Sequence, residues 1–524
     1  MKTEKENKQK NKINKSDSKI LNNIKKYKEY AFLFIVVFIL CLLTLYSSPL
    51  YKGLPDIDSS VFQVMGKGML EHKIIYRDLF DHKGPIVYII NAMGFFINNK
   101  YGLFIIEFII FYIGTIFVYK TSRIVLSKKL SIIVNLLYML ISFRYFYGGN
   151  YTEEYAITFM SIAMYFIIKV LYNKEINKKI YWIIIGATFT INLLIKPTYI
   201  SIWMAFGIVQ LISSIKDKKI KELIKNIGYI IIGVLIIFVP IMLYLIINNA
   251  VSSFIYAYIN MNMKYSSSSI FEKIKAFVEL STRYKYNQYL LMMLISNIVL
   301  LFSKKINKRT KSFVTLFSVV SLILTAWAPN VYSHYLIQLA PCTILESIFL
   351  GYIIEQKIRE KEILNYKVIR ELPINFIYIC VIIVATLNVF KITSEHKWIF
   401  LKQIKLHKIV IERVDEVNNY LNKEDKILVL GNNSYYYLLL NRQPDFKYFF
   451  QYPIIEYDEK IREETEKYII EKKPKVIIDE KYKNFATFGQ KTFEQINGKK
   501  IVEEITQNYE EHDIGVIKYY VLKE

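Results

Sequence analysis

Up to residue 391 the chain alternates long apolar runs with short polar loops. The run AFLFIVVFILCLLTLYSSPL at 31–50 has about the length that an α-helix needs to cross a bilayer. The apolar stretch 85–98 is shorter, and we interpret it as a re-entrant or interfacial helix. The pattern predicts a polytopic α-helical membrane protein with about eleven transmembrane helices. These are placed roughly at 31–50, 100–119, 130–146, 155–171, 180–196, 198–215, 227–248, 288–303, 312–328, 334–354 and 373–391.

The distribution of charge orients these helices. The chain has 69 Lys and Arg against 45 Asp and Glu, a formal net charge of +24. Residues 1–391 hold 47 basic and 22 acidic side chains, whereas residues 392–524 hold 22 and 23. The basic excess lies in the tail 1–29 and in alternate short loops, which is the positive-inside pattern. We therefore expect a cytoplasmic tail, a transmembrane domain at 30–391 and an extracytoplasmic C-terminal domain, without a nucleic-acid partner.

After Lys391 the pattern changes to short apolar strands and amphipathic helices. This alternation predicts a small α/β domain at 392–524. Gly431, Asn432 and Asn433 follow the first strand, but one glycine is no phosphate fingerprint. We expect this domain to have a structural or acceptor-positioning role. The predicted strands are 426–431, 475–479 and 515–522, and the predicted helices lie near 402–422 and 457–472.

The cysteines do not suggest a site. Cys41, Cys342 and Cys380 all lie in predicted membrane helices. Neither a disulfide framework nor a thiolate metal site is therefore expected.

The polar loop 51–99 carries charged residues beside the membrane, where charges are costly and usually functional. Asp56 and Asp58 stand two residues apart. This spacing suits a divalent cation, or leaves one carboxylate free as a general base. The alternative is that Asp58 or Ser59 caps a following helix.

The same loop contains YRDLFDHKGP at 76–85. Its Lys83 carries a compact ammonium suited to a phosphate, at the start of a helix that favours anions. The alternative is a solvated loop in which Lys83 reaches the lipid headgroups. The other candidate side chains of this motif are Tyr76, Asp78, Asp81 and His82.

Later external turns supply further candidates. Glu153 and Glu154 in GGNYTEEYAI are adjacent carboxylates whose repulsion would favour acid/base work, unless Thr152 with one of them merely caps the helix. Lys196, in KPT, and His334, in SHYLIQLAP, are expected on the same side, where either could face a phosphorylated lipid. A histidine at a helix start is also commonly structural. Arg144 is a weaker candidate of the same kind.

Together these motifs resemble the bacterial branch of glycosyltransferase family 39, which includes protein O-mannosyltransferases and lipid A aminoarabinose transferases. These enzymes belong to the multi-spanning C-type (GT-C) glycosyltransferases. The resemblance covers most of residues 30–350 and is most specific at DHKGP. It implies inverting transfer of a sugar from a polyprenyl-phosphate donor to an extracytoplasmic acceptor, which would be a cell-wall polymer, a lipid glycan or a protein.

The resemblance also implies roles for residues. Asp58, with Asp56 as the near alternative, matches the essential acid of the first external loop, and Glu153 and Glu154 match a second acidic position. Lys83 matches the lysine that contacts the lipid phosphate, although this chain has Lys-Gly-Pro where some relatives have Lys-Pro-Pro. The remaining expected roles are donor phosphate binding by His82 and Lys196, and substrate binding by Tyr76, Asp78, Asp81, His334 and Tyr335.

Two points stay open on the sequence alone. A divalent cation could bind at Asp56 and Asp58, since relatives differ in metal dependence. The competing functions are a flippase or transporter of lipid-linked sugars and an O-antigen-type polymerase or ligase. A transporter should show paired halves with broken helices, which the sequence lacks, and the external segment 249–287 offers only Arg283 where such polymerases have arginine-rich loops.

Overall fold

The structure is a computed structural model. It describes residues 27–146, 148–172, 175, 178–327, 331–360, 408, 410–452, 454–479, 497–515 and 517–524. Helices cover most of the first part of the chain, and a mixed sheet forms the last part. The predicted helix at 373–391 and Cys380 lie outside the described residues, whereas Cys41 and Cys342 are buried and free.

Apolar helices form the membrane part. Five described helices are long and apolar enough to cross a bilayer: α1 (Tyr27–Thr44), α4 (Gly102–Ser122), α6 (Thr152–Leu171), α9 (Ile220–Ile247) and the segment Ser333–Ile358. The last consists of a 3₁₀ turn, Ser333–Leu339, followed by α15 (Ala340–Glu360). The other helices in this region are α5 (Lys128–Arg144), α7 (Lys179–Leu193), α8 (Ser201–Lys216), α13 (Asn287–Phe302) and α14 (Lys308–Thr325).

Helix packing in this part depends on close backbone approach. Gly186 of α7 and Gly233 of α9 face each other's helices: a Cβ on Gly186 would lie 2.1 Å from the Ile230 oxygen, and one on Gly233 would lie 1.9 Å from the Ile183 oxygen. Without a hydrophobic driving force in lipid, small residues let helices gain van der Waals contact. These two glycines therefore allow α7 and α9 to pack closely against each other.

The polar loop after α1 contains two helices. The first, α2 (Ile57–Leu70), is largely buried, and the second, α3 (Pro85–Ile97), begins with proline. Proline suits this position because its missing N–H would have no partner in the helix. The far end of α3 exposes Met93, Phe96 and Ile97, an apolar surface typical of a helix lying against lipid.

The predicted external segment 249–287 is also helical. A continuous helical stretch runs through α10 (Val251–Phe254), a π-helical turn (Ile255–Asn260) and α11 (Met261–Tyr265). The serine tract then leads into α12 (Ile270–Arg283), where Ser269 and Glu272 form a reciprocal capping box. The last serine of the tract, Ser269, is therefore the N-cap of α12.

The C-terminal part contains a four-stranded sheet. Its order is β1-β2-β4-β3, with β1 (Ile427–Leu430) parallel to β2 (Val476–Asp479), and with β3 (Tyr509–Asp513) and β4 (Lys518–Leu522) antiparallel. Three strands lie at the predicted places, and β3 was not predicted because its YEEHD sequence is polar. The helices are α16 (Tyr435–Leu439), α17 (Glu459–Lys472) and α18 (Lys499–Asn508), and residues 410–418 are helical.

This domain docks onto the loop between α2 and α3. The Phe80 N–H donates to the Lys447 carbonyl at 2.9 Å, and the rings of Phe80 and Tyr448 lie 5.0 Å apart. Asp458 accepts a hydrogen bond from Tyr256 at 2.6 Å and pairs with Lys264 at 2.7 Å. The C-terminal domain thereby covers the loop that carries DHKGP.

Candidate active site

A cavity of about 240 Å³ lies where the loop between α1 and α3, the start of α6 and the C-terminal domain meet. Most of its lining residues are charged or aromatic. They are Asp56, Ile57, Asp58, Val61, Phe62, Asp81, His82, Lys83, Tyr151, Thr152, Glu153, Lys196, Tyr265, Tyr332, His334, Tyr335, Asn432, Phe450 and Tyr452. Carboxylates, ammonium groups and aromatic rings thus converge on one enclosed space, a typical property of catalytic sites.

Asp56 and Asp58 enter this cavity from the start of α2. Asp56 occupies the N-cap position, but its side chain makes no capping bond; instead its Oδ2 accepts a hydrogen bond from the Tyr151 hydroxyl at 3.0 Å. The helix begins at Ile57, so neither Asp58 nor Ser59 is the cap. Burial and the neighbouring Asp58 carboxylate raise the pKa of Asp56 to about 6.

The three residues before Gly84 form a chain of contacts. The Asp81 Oδ1 lies 3.2 Å from His82 Nδ1, and His82 Nε2 lies 2.7 Å from Lys83 Nζ. Burial and the nearby Lys83 charge lower the pKa of His82, so the imidazole is neutral at pH 7 and can accept from the ammonium. Burial acts to raise the pKa of Asp81, but the contacts with His82 and Lys83 outweigh it, so the pKa of Asp81 is lowered. The Asp81 Oδ1 also accepts a hydrogen bond from the His82 backbone N–H at 2.7 Å. Asp81 therefore holds the backbone of His82, and the His82 ring orients Lys83.

A backbone pairing brings a second ammonium to the same place. The Gly84 N–H donates to the Ile195 carbonyl at 3.0 Å, and the Ile86 N–H donates to the Leu194 carbonyl at 3.3 Å. A Cβ on Gly84 would lie 1.9 Å from the Leu194 oxygen. Only glycine fits this approach, which explains Lys-Gly-Pro here and sets Lys83 and Lys196 on one cavity wall.

Replacing Gly84 with alanine tests this pairing. We expect Gly84→Ala to lower the free energy of unfolding by about 1–3 kcal/mol, because the added methyl must push the 194–195 backbone away. Thermal unfolding in detergent measures the loss. The control is Gly207→Ala, since nothing lies within 4 Å of a Cβ at that position in α8, and it should be neutral or stabilising. Equal unfolding curves for both variants would contradict the pairing.

Glu153 and Glu154 have different surroundings. Glu153 lines the cavity, where its Oε1 lies 3.4 Å from Lys196 Nζ and also accepts from Tyr199. Glu154 accepts from the Asn150 N–H at 2.8 Å, away from the cavity. The helix begins at Thr152 after Tyr151, and Thr152 donates to Glu153 at 2.9 Å instead of capping. The two carboxylates therefore have different partners, because successive helical side chains diverge, and their acid/base role stays a prediction.

Aromatic rings form the opposite wall. His334 stacks between Tyr151, at 4.6 Å between centroids, and Tyr332, at 5.6 Å. The Lys196 ammonium lies 4.2 Å from the centre of the Tyr335 ring. Such faces suit the apolar side of a sugar ring, and Tyr335 also holds the lysine through a cation–π contact.

A second, apolar cavity of about 290 Å³ adjoins the first. Both are lined by His82, Lys83, Lys196, Tyr265 and Tyr335. Beyond these shared residues the second cavity is lined by Pro197, Thr198, Tyr258, Ile259, Asn262, Met263, Ser266 and Trp327. Ile259, Met263 and Trp327 are 46%, 68% and 48% exposed, so this cavity opens onto an apolar surface. The two lysines stand at the boundary between a polar and an apolar space.

Some predicted site residues lie elsewhere. Among the described residues, those that line the first cavity do not include Tyr76, Asp78 or Glu154. Tyr76 is fully buried, and its hydroxyl donates to the Lys83 carbonyl at 2.9 Å. Asp78 pairs with Arg77 and accepts from the Ile74 N–H. Arg144 packs against the Tyr145 ring. Tyr76 and Asp78 therefore shape the loop rather than face the cavity.

The prediction from sequence missed several lining residues. Tyr151, Tyr265 and Tyr332 are tyrosines in a tyrosine-rich chain, so composition could not single them out. Asn432, Phe450 and Tyr452 come from the C-terminal domain. The Asn432 side-chain oxygen is buried and has no hydrogen-bond partner among the described residues. The turn after β1 was noticed, but its position over the cavity follows only from domain docking.

No described group of three or more His, Cys, Asp or Glu could hold a metal ion. Asp56 and Asp58 supply two carboxylates, and one oxygen of Asp56 already accepts from Tyr151. A cation there would need oxygen ligands from water or substrate, because hard divalent cations take about six or more. Metal binding at these residues stays a prediction.

Solved structures share this fold. ArnT from Cupriavidus metallidurans bound to undecaprenyl phosphate has a TM-score of 0.60 at 9% identity, over 94% of this chain and 97% of that chain. The apo state of the same ArnT has a TM-score of 0.58 at 9% identity, over 94% of this chain and 96% of that chain. An oligosaccharyltransferase from Archaeoglobus fulgidus tethered to an acceptor peptide has a TM-score of 0.51 at 10% identity, over 96% of this chain and 74% of that chain. The chain shares the fold of these proteins, and the predicted helical membrane fold is confirmed. The GT-C and family 39 assignments and the count of eleven transmembrane helices stay predictions.

Sequence comparisons add one family. Comparison with curated protein sequences finds no match. The model of the competence-induced protein Ccs4 N-terminal domain matches residues 18–395, which is more than half of the chain. The chain therefore belongs to the competence-induced Ccs4 N-terminal domain family.

Proposed function

We propose that this protein is a membrane glycosyltransferase that moves a sugar from a polyprenyl-phosphate donor to an extracytoplasmic acceptor. One observation carries the proposal: Lys83 and Lys196 stand where a carboxylate-lined cavity meets an apolar cavity. A lipid-phosphate sugar has the same three parts in the same order, a sugar, a phosphate and an apolar chain. The shared fold supports this reading, and one structure with that fold was solved bound to undecaprenyl phosphate.

The donor phosphate would lie between the two lysines. Lys83 is oriented by His82, and Lys196 is held by Glu153 and Tyr335. The prenyl chain would leave through the apolar cavity past Ile259, Met263 and Trp327, which already face the exterior. The sugar would occupy the polar cavity against the stacked His334. Each part of the donor thus meets side chains of matching chemistry.

The acceptor hydroxyl then attacks the anomeric carbon from the side opposite the phosphate. The bond from this carbon to the phosphate oxygen breaks, and its electron pair leaves with the phosphate, whose added charge the lysines stabilise. Asp58 takes the hydroxyl proton as the new bond forms. Its carboxylate accepts no hydrogen bond among the described residues that could compete. One displacement from the opposite face inverts the anomeric configuration.

Asp56 has a different role in this scheme. Its carboxylate is held by Tyr151 beside Asp58, and the sugar gains positive charge as the leaving group departs. A negative Asp56 stabilises that charge. The C-terminal domain would hold the acceptor, with Asn432 as a hydrogen-bonding group at the cavity roof. No step requires a metal, and a cation at Asp56 and Asp58 would assist by binding acceptor or sugar oxygens.

The raised pKa of Asp56 predicts the pH dependence of transfer. Because the carboxylate is the active form, the rate should be constant above about pH 7 and fall to half its plateau value at about pH 6. The acid limit should equal the rate of Asp56→Asn, which resembles the protonated acid. In that variant the fall of the rate between about pH 7 and pH 5 should be absent. A fall that persists unchanged in Asp56→Asn would assign the titration to another group.

Transfer itself can be measured in liposomes. Purified protein is mixed with polyprenyl-phosphate carrying a radiolabelled sugar and with an envelope extract as acceptor source. We expect labelled acceptor that no longer carries polyprenyl phosphate, and released polyprenyl phosphate in equal amounts. Movement of intact labelled donor between leaflets with no product would instead indicate a flippase. Use of pyrophosphate-linked donors alone would indicate a polymerase or ligase, and either result would refute the proposal.

A further inference from the structure

A third cavity, of about 240 Å³, lies behind the segment that carries Asp56 and Asp58. It is formed by the loop after α1, the connection between α3 and α4, and the turn before α6. Its lining residues are Tyr46, Ser47, Ser48, Pro49, Tyr51, Lys52, Gly53, Pro55, Ser59, Gln63, Phe95, Asn98, Asn99, Lys100, Tyr101, Leu103, Gly148 and Asn150. Neither the proposed reaction nor any candidate residue uses it.

The charge of this cavity differs from that of the catalytic cavity. Its described lining includes no acidic side chain and two exposed lysines, Lys52 and Lys100. Neither lysine has a carboxylate partner among the described residues; the Lys100 ammonium lies only over the Tyr101 ring, at 5.2 Å. The catalytic cavity, in contrast, is lined by four carboxylates. The third cavity therefore favours a ligand that carries negative charge.

The remaining lining suits a saccharide. The rings of Tyr46 and Tyr51 stack on each other at 4.4 Å and 12°, and Tyr51 is only 7% exposed, so this pair forms a rigid back wall. Tyr101, which is 37% exposed, presents an accessible ring in the lining. A sugar packs its C–H face on such a ring while its hydroxyls meet amides, and Gln63, Asn98 and Asn99 are nearby lining residues. Aromatic faces, amides and unpaired ammonium groups together match an anionic saccharide better than a purely apolar ligand.

The third cavity and the catalytic cavity share one wall. Pro55 and Ser59 line the third cavity, whereas Asp56 and Asp58, between them in the chain, line the catalytic one. Asn150 fixes this wall, because its side chain donates to Ser59 Oγ at 2.8 Å and accepts from Tyr155 at 2.6 Å. A ligand in the third cavity therefore lies within a few residues of the proposed base.

We propose that the third cavity binds an anionic saccharide, a segment of the acceptor glycan next to the hydroxyl that is modified. The acceptor identity rests on the proposed transferase function, whereas binding of the saccharide does not. An anionic phospholipid headgroup is disfavoured because the amides and the exposed Tyr101 ring offer more hydrogen bonds and ring surface than a headgroup uses.

Binding is measured with the full-length protein in nanodiscs of neutral lipid. The probes are hyaluronan tetrasaccharide, which carries carboxylates, and uncharged chitotetraose of the same length. We expect tighter binding of the charged probe, and about tenfold weaker binding of it in Lys52→Gln/Lys100→Gln. Tyr101→Ala should weaken the binding of both probes, because it removes the accessible ring. Lys275→Gln, an exposed lysine of α12, is the control and should bind as wild type.

Three binding results would contradict the proposal that the third cavity binds an anionic saccharide. They are equal affinity for the two probes, an equal loss in Lys275→Gln, and displacement of the tetrasaccharide by phosphatidylglycerol in the nanodisc. The last result would identify a lipid headgroup site. Asp58→Asn separates the two proposals, since it should stop transfer and leave tetrasaccharide binding unchanged. Binding without any transfer by wild type refutes only the reaction, and transfer with an unchanged acceptor KM in the lysine variant refutes only this site.

Discussion

Asp58→Asn is expected to abolish sugar transfer while the protein still binds its donor. The substitution keeps the size of the side chain and removes the group that takes the proton from the acceptor hydroxyl. Loss of a general base typically lowers the rate by about 100- to 10,000-fold. The Asp58 carboxylate makes no hydrogen bond or ion pair with a described residue, so folding should be preserved. Single-turnover transfer in liposomes measures the rate, and binding of the labelled donor is measured in parallel.

Two variants define this result further. Asp58→Glu keeps the carboxylate but moves it, and should recover part of the rate. Asp415→Asn makes the same change at an exposed position of the C-terminal domain and should transfer as wild type. If Asp58→Asn transfers sugar at the wild-type rate, and Asp56→Asn does not, then Asp56 is the base and the roles of the two carboxylates are exchanged.

Lys83→Ala is expected to impair use of the donor most strongly among the phosphate-binding residues. Removing a charged hydrogen-bond donor from a buried contact costs about 1.5–3 kcal/mol, which corresponds to about 10- to 150-fold in affinity. Transfer should also slow, because the departing phosphate loses one of its two stabilising charges. The rate is measured as a function of donor concentration at saturating acceptor.

Lys196→Ala should have a smaller effect than Lys83→Ala. Glu153 lies 3.4 Å from the Lys196 ammonium and already balances part of its charge, whereas Lys83 contacts His82, which is neutral. Lys83→Arg keeps the charge but replaces a compact ammonium with a planar guanidinium and should recover only part of the activity. Lys275→Ala is the matched control. An unchanged dependence of rate on donor concentration in Lys83→Ala would remove this lysine from the phosphate site.

The sequence indicated much of the membrane part, because a helix in lipid has to be apolar along its whole length. The ten predicted membrane segments that fall on described residues each overlap an observed helix. The C-terminal strands with alternating or continuous apolar residues were also predicted. The polar strand β3 was not, since its pairing with β4 is a tertiary contact that its own residues do not signal.

The candidate site was predicted in part, and the reason differs between residues. Asp56 and Asp58 lie two residues apart, and His82 and Lys83 are adjacent, in the same polar loop 51–99. Local spacing therefore sufficed to predict them. Glu153 and Glu154 are equally close, yet only one faces the cavity, because the helix turns successive side chains apart. Asp78 and Tyr76 were predicted as site residues from their position in the motif. In the structure their side chains instead form hydrogen bonds within the loop, to the Ile74 N–H and the Lys83 carbonyl.

The sequence by itself determined that this is a membrane protein with charged loops between apolar helices, because apolar length and charge distribution are properties of the chain alone. Tertiary structure decided which of those charges meet. The approach of Gly84 to Leu194 joins Lys83 to Lys196 across more than a hundred residues. Docking of the C-terminal domain brings Asn432 to the cavity that Asp58 also lines. Such contacts depend on packing between distant segments, which no local pattern of residues encodes.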